Sequence, residues 1–262
     1  MWTTPQPWFP PPNDMRLVDV QDAYLTPFER GPLRTERGPS RWMRGAVHDH
    51  EGRLVPQSQR WWHGTRTDPA AADPQRVDVD PGAPTLPGTW LYFGHWSTHF
   101  GHFLLETLPS LWPDPSTHAV TGLVGHRPAR GDISAGAVES EPLVVSRWQA
   151  DLIDLAGYGS AEPRVVHRDA TRVERLLVPE RPVVLKRWVH PQAVALWQRV
   201  SASVGARGDR PLVYLSRTGF HEQAPDRVRT DVEWDTALDQ TFADHGFLVV
   251  RPEQHDLSLI HI

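Results

Sequence analysis

Three histidines and one carboxylate, His95, His99, His102 and Glu106, crowd into residues 89–112, which is otherwise the longest strongly apolar run of the chain. Imidazole and carboxylate are the side chains of acid–base chemistry near neutral pH. Setting them among Trp90, Leu91, Phe93, Phe100, Phe103 and Leu104 is costly unless each finds a partner or lines a pocket. His102 and Glu106 stand four apart, a spacing that puts both on one face of a helix, and His99 and His102 stand three apart. The set suits a carboxylate-held base or a ligand-positioning pair. With His95 and His99 added it has the residue types of a zinc site. It equally suits a buried βα unit whose histidines cap and hydrogen-bond.

The elements that must position these groups follow from the local sequence. Residues 90–93 are aromatic and branched and follow Pro87-Gly88, which predicts a short strand. Gly94 opens a turn through 98. Ser97 or Thr98 can cap a helix running to about residue 108, where Pro109 argues against continuation. Phe100, Phe103, Leu104, Thr107 and Leu108 give that helix its packing surface. Strand, glycine turn, then a helix with His in its first turn is the layout of a site at the carboxyl end of a sheet.

Upstream, residues 1–13 are Pro-rich and read as an extended arm or a partner strap. Residues 16–20 predict a first strand. Residues 42–48 and 53–55 flank Asp49-His50-Glu51-Gly52, a hairpin with Gly52 in its turn. His48, Asp49 and His50 are read as turn residues rather than metal ligands. Residues 57–87 are polar and loop-like. Downstream, strands are expected at 119–124, 143–145, 164–166 and 171–178. A helix at 147–156 is capped by Ser146, carries Trp148, Leu152 and Leu155 on one face, and is ended by Gly157. Alternation of β and α favours a layered α/β domain with a mostly parallel sheet.

Pro179 to Pro182 reads as a boundary, giving units at 1–180 and 181–256. The second opens with a helix at 191–204 presenting Val194, Trp197 and Val200 or Ser201. It continues with a strand at 211–216, a polar Arg-bearing loop at 218–230, a helix at 232–246 and a strand at 247–250. Two strands do not close a core. Residues 257–262, Leu-Ser-Leu-Ile-His-Ile, match one reading frame of a sequencing-library adapter and are expected to be a non-native tail on a truncated chain.

Composition narrows the function classes. The chain has 262 residues, a net charge of -5 and a mean hydropathy of -0.47. The net charge gives no support to nucleic acid as a partner. No apolar run is long enough for a membrane span. The first residues lack a signal-peptide pattern, so a cytoplasmic location is expected. With no Cys there is neither a disulfide framework nor a thiolate metal site. Lys186 is the only lysine beside many Arg, Ala, Pro and Asp, the composition of a GC-rich bacterial genome. The 12 Trp fit a large core better than a carbohydrate-stacking surface.

Two blocks of this sequence resemble glycosyltransferase family 61. Phe100-Gly101-His102-Phe103-Leu104-Leu105-Glu106-Thr107-Leu108-Pro109-Ser110-Leu111 is similar to that family's Gly-His-Phe-Leu-Leu-(Asp/Glu)-Thr-Leu-Pro-Arg-Leu signature. Val213-Tyr214-Leu215-Ser216-Arg217, followed by Gly246-Phe247-Leu248-Val249-Val250-Arg251-Pro252-Glu253, is similar to its second block. The resemblance covers residues 40–256. Ser110 stands where the family commonly has Arg. Its Arg-x-x-Asn-Glu stretch appears only as Arg227-Val228-Arg229-Thr230-Asp231-Val232-Glu233, without the Asn. The family's downstream Gly-Ser/Ala block is absent, and the chain as it stands is expected to be inactive.

The resemblance implies an α/β fold of the GT-B kind, here one N-terminal Rossmann-like domain on the acceptor side plus the first part of a second. It implies inverting transfer of a sugar from a nucleotide-sugar donor, UDP-linked, to a glycan acceptor in capsular or exopolysaccharide biosynthesis, with no obligatory metal and no cofactor. Peripheral membrane association is compatible with such a role. His102 or Glu106 would serve as base or acceptor-positioning group. Ser216, Arg217, Arg227 and Arg229 would meet the donor diphosphate, and Glu253 a ribose or sugar hydroxyl. The competing readings are a non-catalytic polysaccharide-binding or assembly module and a metal-dependent hydrolase built on the histidine cluster.

Overall fold

A computed structural model describes residues 12–35, 38–59, 61–62, 65–66, 73–97, 100–127, 145–166, 169–185, 188–203, 212–223 and 231–251. The first strands are β1 (Leu17–Leu25), β2 (Glu29–Thr35), β3 (Gly38–Arg44), β4 (Val47–His48), β5 (Trp61–Trp62), β6 (Thr65–Arg66) and β7 (Thr85–His95). The short helix α1 (Phe100–His102) follows, then β8 (Gly122–His126), α2 (Arg147–Ile153), β9 (Glu162–Val166) and β10 (Thr171–Pro179). One six-stranded sheet has the order β4-β1-β10-β7-β8-β9. β10, β7, β8 and β9 run parallel, while β1 joins β10, and β4 joins β1, antiparallel. The α/β class is as expected, and the sheet is mixed. The pairs β2–β3 and β5–β6 form separate antiparallel ladders.

β7 lies in the middle of this sheet and is buried from Trp90 to Gly94. Alternation along the strand sends neighbouring side chains to opposite faces. Leu91 and Phe93 join Leu123, Leu177, Phe103, Leu111, Ile153, Tyr158 and Leu196 on the helical side. Trp90 and Tyr92 join Val124, Leu176, Val173, Val20 and Val47 on the other. The parallel register sets Leu91 beside both Leu177 and Leu123, so three strands give one leucine row to the helical face. Glycine is required where β8 passes the end of β7: a Cβ on Gly125 would lie 2.4 Å from the Gly94 carbonyl oxygen.

The helical side departs from the sequence reading in three places. The segment after β7 is one α turn (Phe100–His102), then a π turn (Phe103–Thr107), then a 3-10 turn (Leu108–Leu111), and Pro109 begins that last turn rather than ending the helix. Pro has no N–H to give the Leu105 carbonyl, so the regular α ladder cannot pass through it. Ser146 caps α2 through a reciprocal capping box with Gln149. Beyond α2 the chain widens into a second π turn (Asp154–Tyr158), and Gly157 bends it at φ +91°. Of the strand expected at 143–145, Val145 lies outside any strand and the other two residues lie outside the described residues.

Beyond 180, β11 (Val183–Val184) and β12 (Trp188–Val189) form a small ladder, and α3 (Pro191–Ser203) packs on the same helical face. Leu196 is in the core, Trp197 Nε1 donates to the Leu104 carbonyl at 3.2 Å, and Arg199 donates to the Leu111 carbonyl at 3.0 Å. The packed row is Ala193, Leu196, Trp197 and Val200. Val194 is exposed, because its position on the helix points away from the sheet.

The last described elements are β13 (Val213–Leu215), α4 (Thr218–Gln223), α5 (Val232–Asp244) and β14 (Leu248–Val250). β13 and β14 pair in parallel, the two-stranded arrangement expected. Residues 218–223 are helical rather than loop. α5 starts on Asp231, whose side chain accepts from the Trp234 N–H, and ends before Gly246 at φ +81°. Phe242 stacks on Tyr214 with centroids 4.0 Å apart.

The turn at 49–52 forms as read. Asp49 N–H donates to the Arg53 carbonyl and Gly52 takes φ +77°. His48, just before it, is fully buried: its Nε2–H donates to the Pro74 carbonyl at 2.9 Å, and Nδ1 has no hydrogen-bond partner. Burial holds the ring's pKa below the ordinary 6.5. The unfolded chain therefore takes up this proton first as pH falls, so the stability His48 contributes is complete above about pH 6.5 and is lost below it. Asp73 nearby is shifted upward by burial and works in the opposite sense. The expected result is a urea midpoint that falls between pH 7 and pH 5, with a slope of at most about 1.4 kcal/mol per pH unit from this group. His48→Gln should flatten that fall. Equal acid slopes in the two proteins would remove His48 as its source.

Candidate functional site

The carboxyl ends of the parallel strands gather the polar groups of the first unit. His95 ends β7 and His126 ends β8; they are paired in register, with ring centroids 5.6 Å apart. Arg127 follows β8 directly, and Arg181 stands two residues past β10. Both arginines are buried, at 6% and 8% exposure. Phe28 packs edge-on against His95 at 5.8 Å.

The hydrogen bonds fix how these rings are used. Arg181 Nη2 donates to His95 Nδ1 at 3.1 Å, so that nitrogen carries a lone pair and the bonded ring is neutral. His126 Nε2 lies 2.9 Å from the Thr26 carbonyl, which can only accept, so Nε2 carries the proton. In the neutral ring Nδ1 then accepts from Tyr92 Oη at 2.8 Å. Burial raises the Tyr92 phenol far above its ordinary value, which keeps it a donor. Two left-handed glycines make room. A Cβ on Gly45 (φ +144°) would come within 2.8 Å of the His126 ring, and one on Gly94 (φ +80°) within 3.0 Å of Arg181 Nη2.

The π turn is moored to this end of the sheet by Thr107. Its hydroxyl donates to the His95 carbonyl at 2.9 Å and accepts from the Ser97 N–H at 3.2 Å. His102 and Glu106 meet as their spacing predicts: His102 Nδ1 hydrogen-bonds Glu106 Oε2. The imidazole side chain is 45% exposed and the carboxylate 11%. A carboxylate on Nδ1 orients the ring, presents Nε2 outward as the proton-accepting nitrogen, and stabilises the imidazolium that forms. Ser110, where the signature commonly has Arg, is buried and its hydroxyl lies 3.4 Å from the Glu106 carbonyl.

At the carboxyl end of β13, Ser216 is buried and internally bonded. Its N–H donates to the Val250 carbonyl, and its hydroxyl donates to Asp239 Oδ2 at 2.8 Å and accepts from the Thr218 N–H. Thr218 Oγ1 also donates to Asp239 at 2.8 Å, and His221 Nε2 meets the buried Asp235 at 2.7 Å. Arg217 is exposed between the strand end and α4. Arg227, Arg229 and Glu253 lie outside the described residues, as does His99. Among the described residues, no group of three His, Asp or Glu is placed to hold a metal ion. His95 Nδ1, a ligand in the zinc reading, instead accepts from a guanidinium.

Sequence reasoning found His102 and Glu106 and missed Tyr92, His126, Arg127 and Arg181. Arg181 was hidden because Glu-Arg-Pro after an apolar strand reads as a linker. The available signal was its position: a cation just past the carboxyl end of a buried parallel strand. No helix among the described residues is long and apolar enough to cross a membrane. Compared with protein-family models, curated proteins and solved structures, the chain matches none of them.

Tyr92 gives the interior of this cluster a direct test. Tyr92→Phe removes the donor to His126 Nδ1 in a buried site and is expected to cost about 1–3 kcal/mol. Chemical denaturation measures it, and an unchanged midpoint would show that this bond does not hold His126 in place.

Proposed function

We propose that this chain belongs to an inverting glycosyltransferase that moves a sugar from a UDP-linked donor to a glycan acceptor. The observation that carries the reading is the His102–Glu106 pair: an open imidazole, held on Nδ1 by a carboxylate, mounted just past the carboxyl end of β7. Inverting transfer needs one base to take the acceptor hydroxyl proton as the anomeric carbon is attacked. His102 Nε2 has the orientation for that step, with Glu106 as its positioning partner. The leaving diphosphate needs positive charge, and Arg217, exposed at the carboxyl end of β13, supplies it in this reading. The two sequence blocks that resemble glycosyltransferase family 61 support the same division of roles, with a GT-B arrangement and a place in polysaccharide biosynthesis.

Donor binding is the test, by titration calorimetry with UDP-sugars. Arg217→Ala is expected to weaken binding about tenfold or more, by loss of a charge-assisted contact. His102→Ala, on the acceptor side, should leave donor affinity unchanged. A folded chain with no saturable UDP-sugar binding would overturn the reading.

A further inference from the structure

We infer that His221, on α4, is a cationic hydrogen-bond donor to the leaving diphosphate, held for that task by the buried carboxylate of Asp235. The inference rests on the transferase reading for the identity of its ligand and adds a second group to Arg217.

The first observation is the pairing. His221 Nε2 lies 2.7 Å from Asp235 Oδ2, and the two side chains are 15% and 3% exposed. An ionised carboxylate only accepts, so Nε2 carries the proton. The other ring nitrogen, Nδ1, has no bond to a described residue and is not sealed from solvent. This is the His102–Glu106 arrangement with the ring nitrogens exchanged, since there Nδ1 meets the carboxylate. A carboxylate on one nitrogen orients the ring and stabilises the imidazolium, whose second N–H is then a charged donor at the surface.

The second observation is how α5 spends its two carboxylates. Asp239 accepts from the hydroxyls of Ser216 and Thr218, both at 2.8 Å, groups that satisfy a carboxylate without titrating. Asp235, one turn earlier, is met by a ring that changes charge near neutral pH and reaches the surface. A lock between α4 and α5 needs neither property. The two contacts fasten Thr218 and His221 to the same helix, at the carboxyl end of β13, the edge where α/β sheets take their ligands. Exposed Arg217 immediately precedes α4 and stands four residues before His221, about 6 Å of helical rise.

In the transfer step the bond between the anomeric carbon and the phosphoryl oxygen breaks, and its electron pair stays on that oxygen. The acceptor hydroxyl forms the new bond and gives its proton to His102. His221 Nδ1–H hydrogen-bonds the diphosphate as its charge grows, beside the charge of Arg217.

Carbethoxylation of the whole chain by diethyl pyrocarbonate, mapped by mass spectrometry, tests the dyad directly. His221 is expected to react in the free chain, while fully buried His48 does not, and saturating inorganic pyrophosphate should slow His221 several-fold. Calorimetry gives the second readout. His221→Gln keeps an amide N–H for Asp235 but has no charge, and is expected to bind pyrophosphate and UDP about tenfold more weakly with its urea midpoint kept. If that variant fails to fold, the wild-type footprint decides. An inert His221, a rate unchanged by bound pyrophosphate, equal affinity in folded His221→Gln, or no binding of pyrophosphate by the folded chain overturns the inference. UDP-sugar binding that depends on Arg217 but not on His221 does so too, and leaves the transferase reading standing. Protection of His221 by pyrophosphate in a chain that binds no UDP-sugar removes the transferase reading and leaves His221 a diphosphate ligand.

Discussion

The interaction on which the first unit depends is the burial of β7 on both faces. Trp90 and Tyr92 can go only to one side, and Leu91 and Phe93 only to the other. A shift of one residue would exchange the two sets and set Tyr92 among the helices, away from His126. The strand's register therefore decides more than packing. It sets His95 beside His126, and it aims Gly94 at the space that Arg181 fills. The polar end and the apolar middle of the strand are one constraint.

The second constraint is Pro109. An ordinary α-helix from residue 100 onward would need an N–H that this residue lacks. The chain answers with a widened turn before the proline and a tightened one at it. The Leu104 carbonyl is met by Trp197 from α3, and Thr107 is drawn under the His95 carbonyl. π turns recur at functional sites because they re-aim side chains without unfolding the helix. Here the turn carries Glu106, and its partner His102 keeps nearly half of its side chain in the open.

The sequence pattern made the local features legible and left the long-range ones hidden. The His102–Glu106 contact, the Ser146 cap and the Gly52 turn follow from residues within a few positions of each other, and the β13–α5–β14 unit from elements consecutive in the chain. The mixed sheet did not follow, because the antiparallel pairing of β1 with β10 joins residues far apart in the chain, as Leu17 with Pro179. Arg181 and His126 escaped for the same reason: their bonds to His95, Tyr92 and Thr26 reach across the sheet, and each gains its meaning from a strand it does not belong to. Val194 was placed on the wrong face because hydrophobic spacing alone does not distinguish the row Ala193, Leu196, Trp197, Val200 from a neighbouring one. The sheet decides, and small Ala193 is the side chain that fits against it.

The two sets of strand ends use charge in opposite ways, and the difference bears on what each presents. At β13 the charges are the carboxylates of buried Asp235 and half-buried Asp239, one helical turn apart on α5. Two hydroxyls and His221 serve them, which fixes Ser216 and Thr218 and leaves Arg217 between them as the outward group. At β7, β8 and β10 the buried charges are guanidiniums, and Arg181 donates to a neutral His95 nitrogen. The neutral ring nitrogen gives the Arg181 guanidinium a direction, and the carboxylates of α5 hold a turn. The first set thus buries its cations among fixed rings, and the second presents one exposed side chain, Arg217, between two residues held from behind.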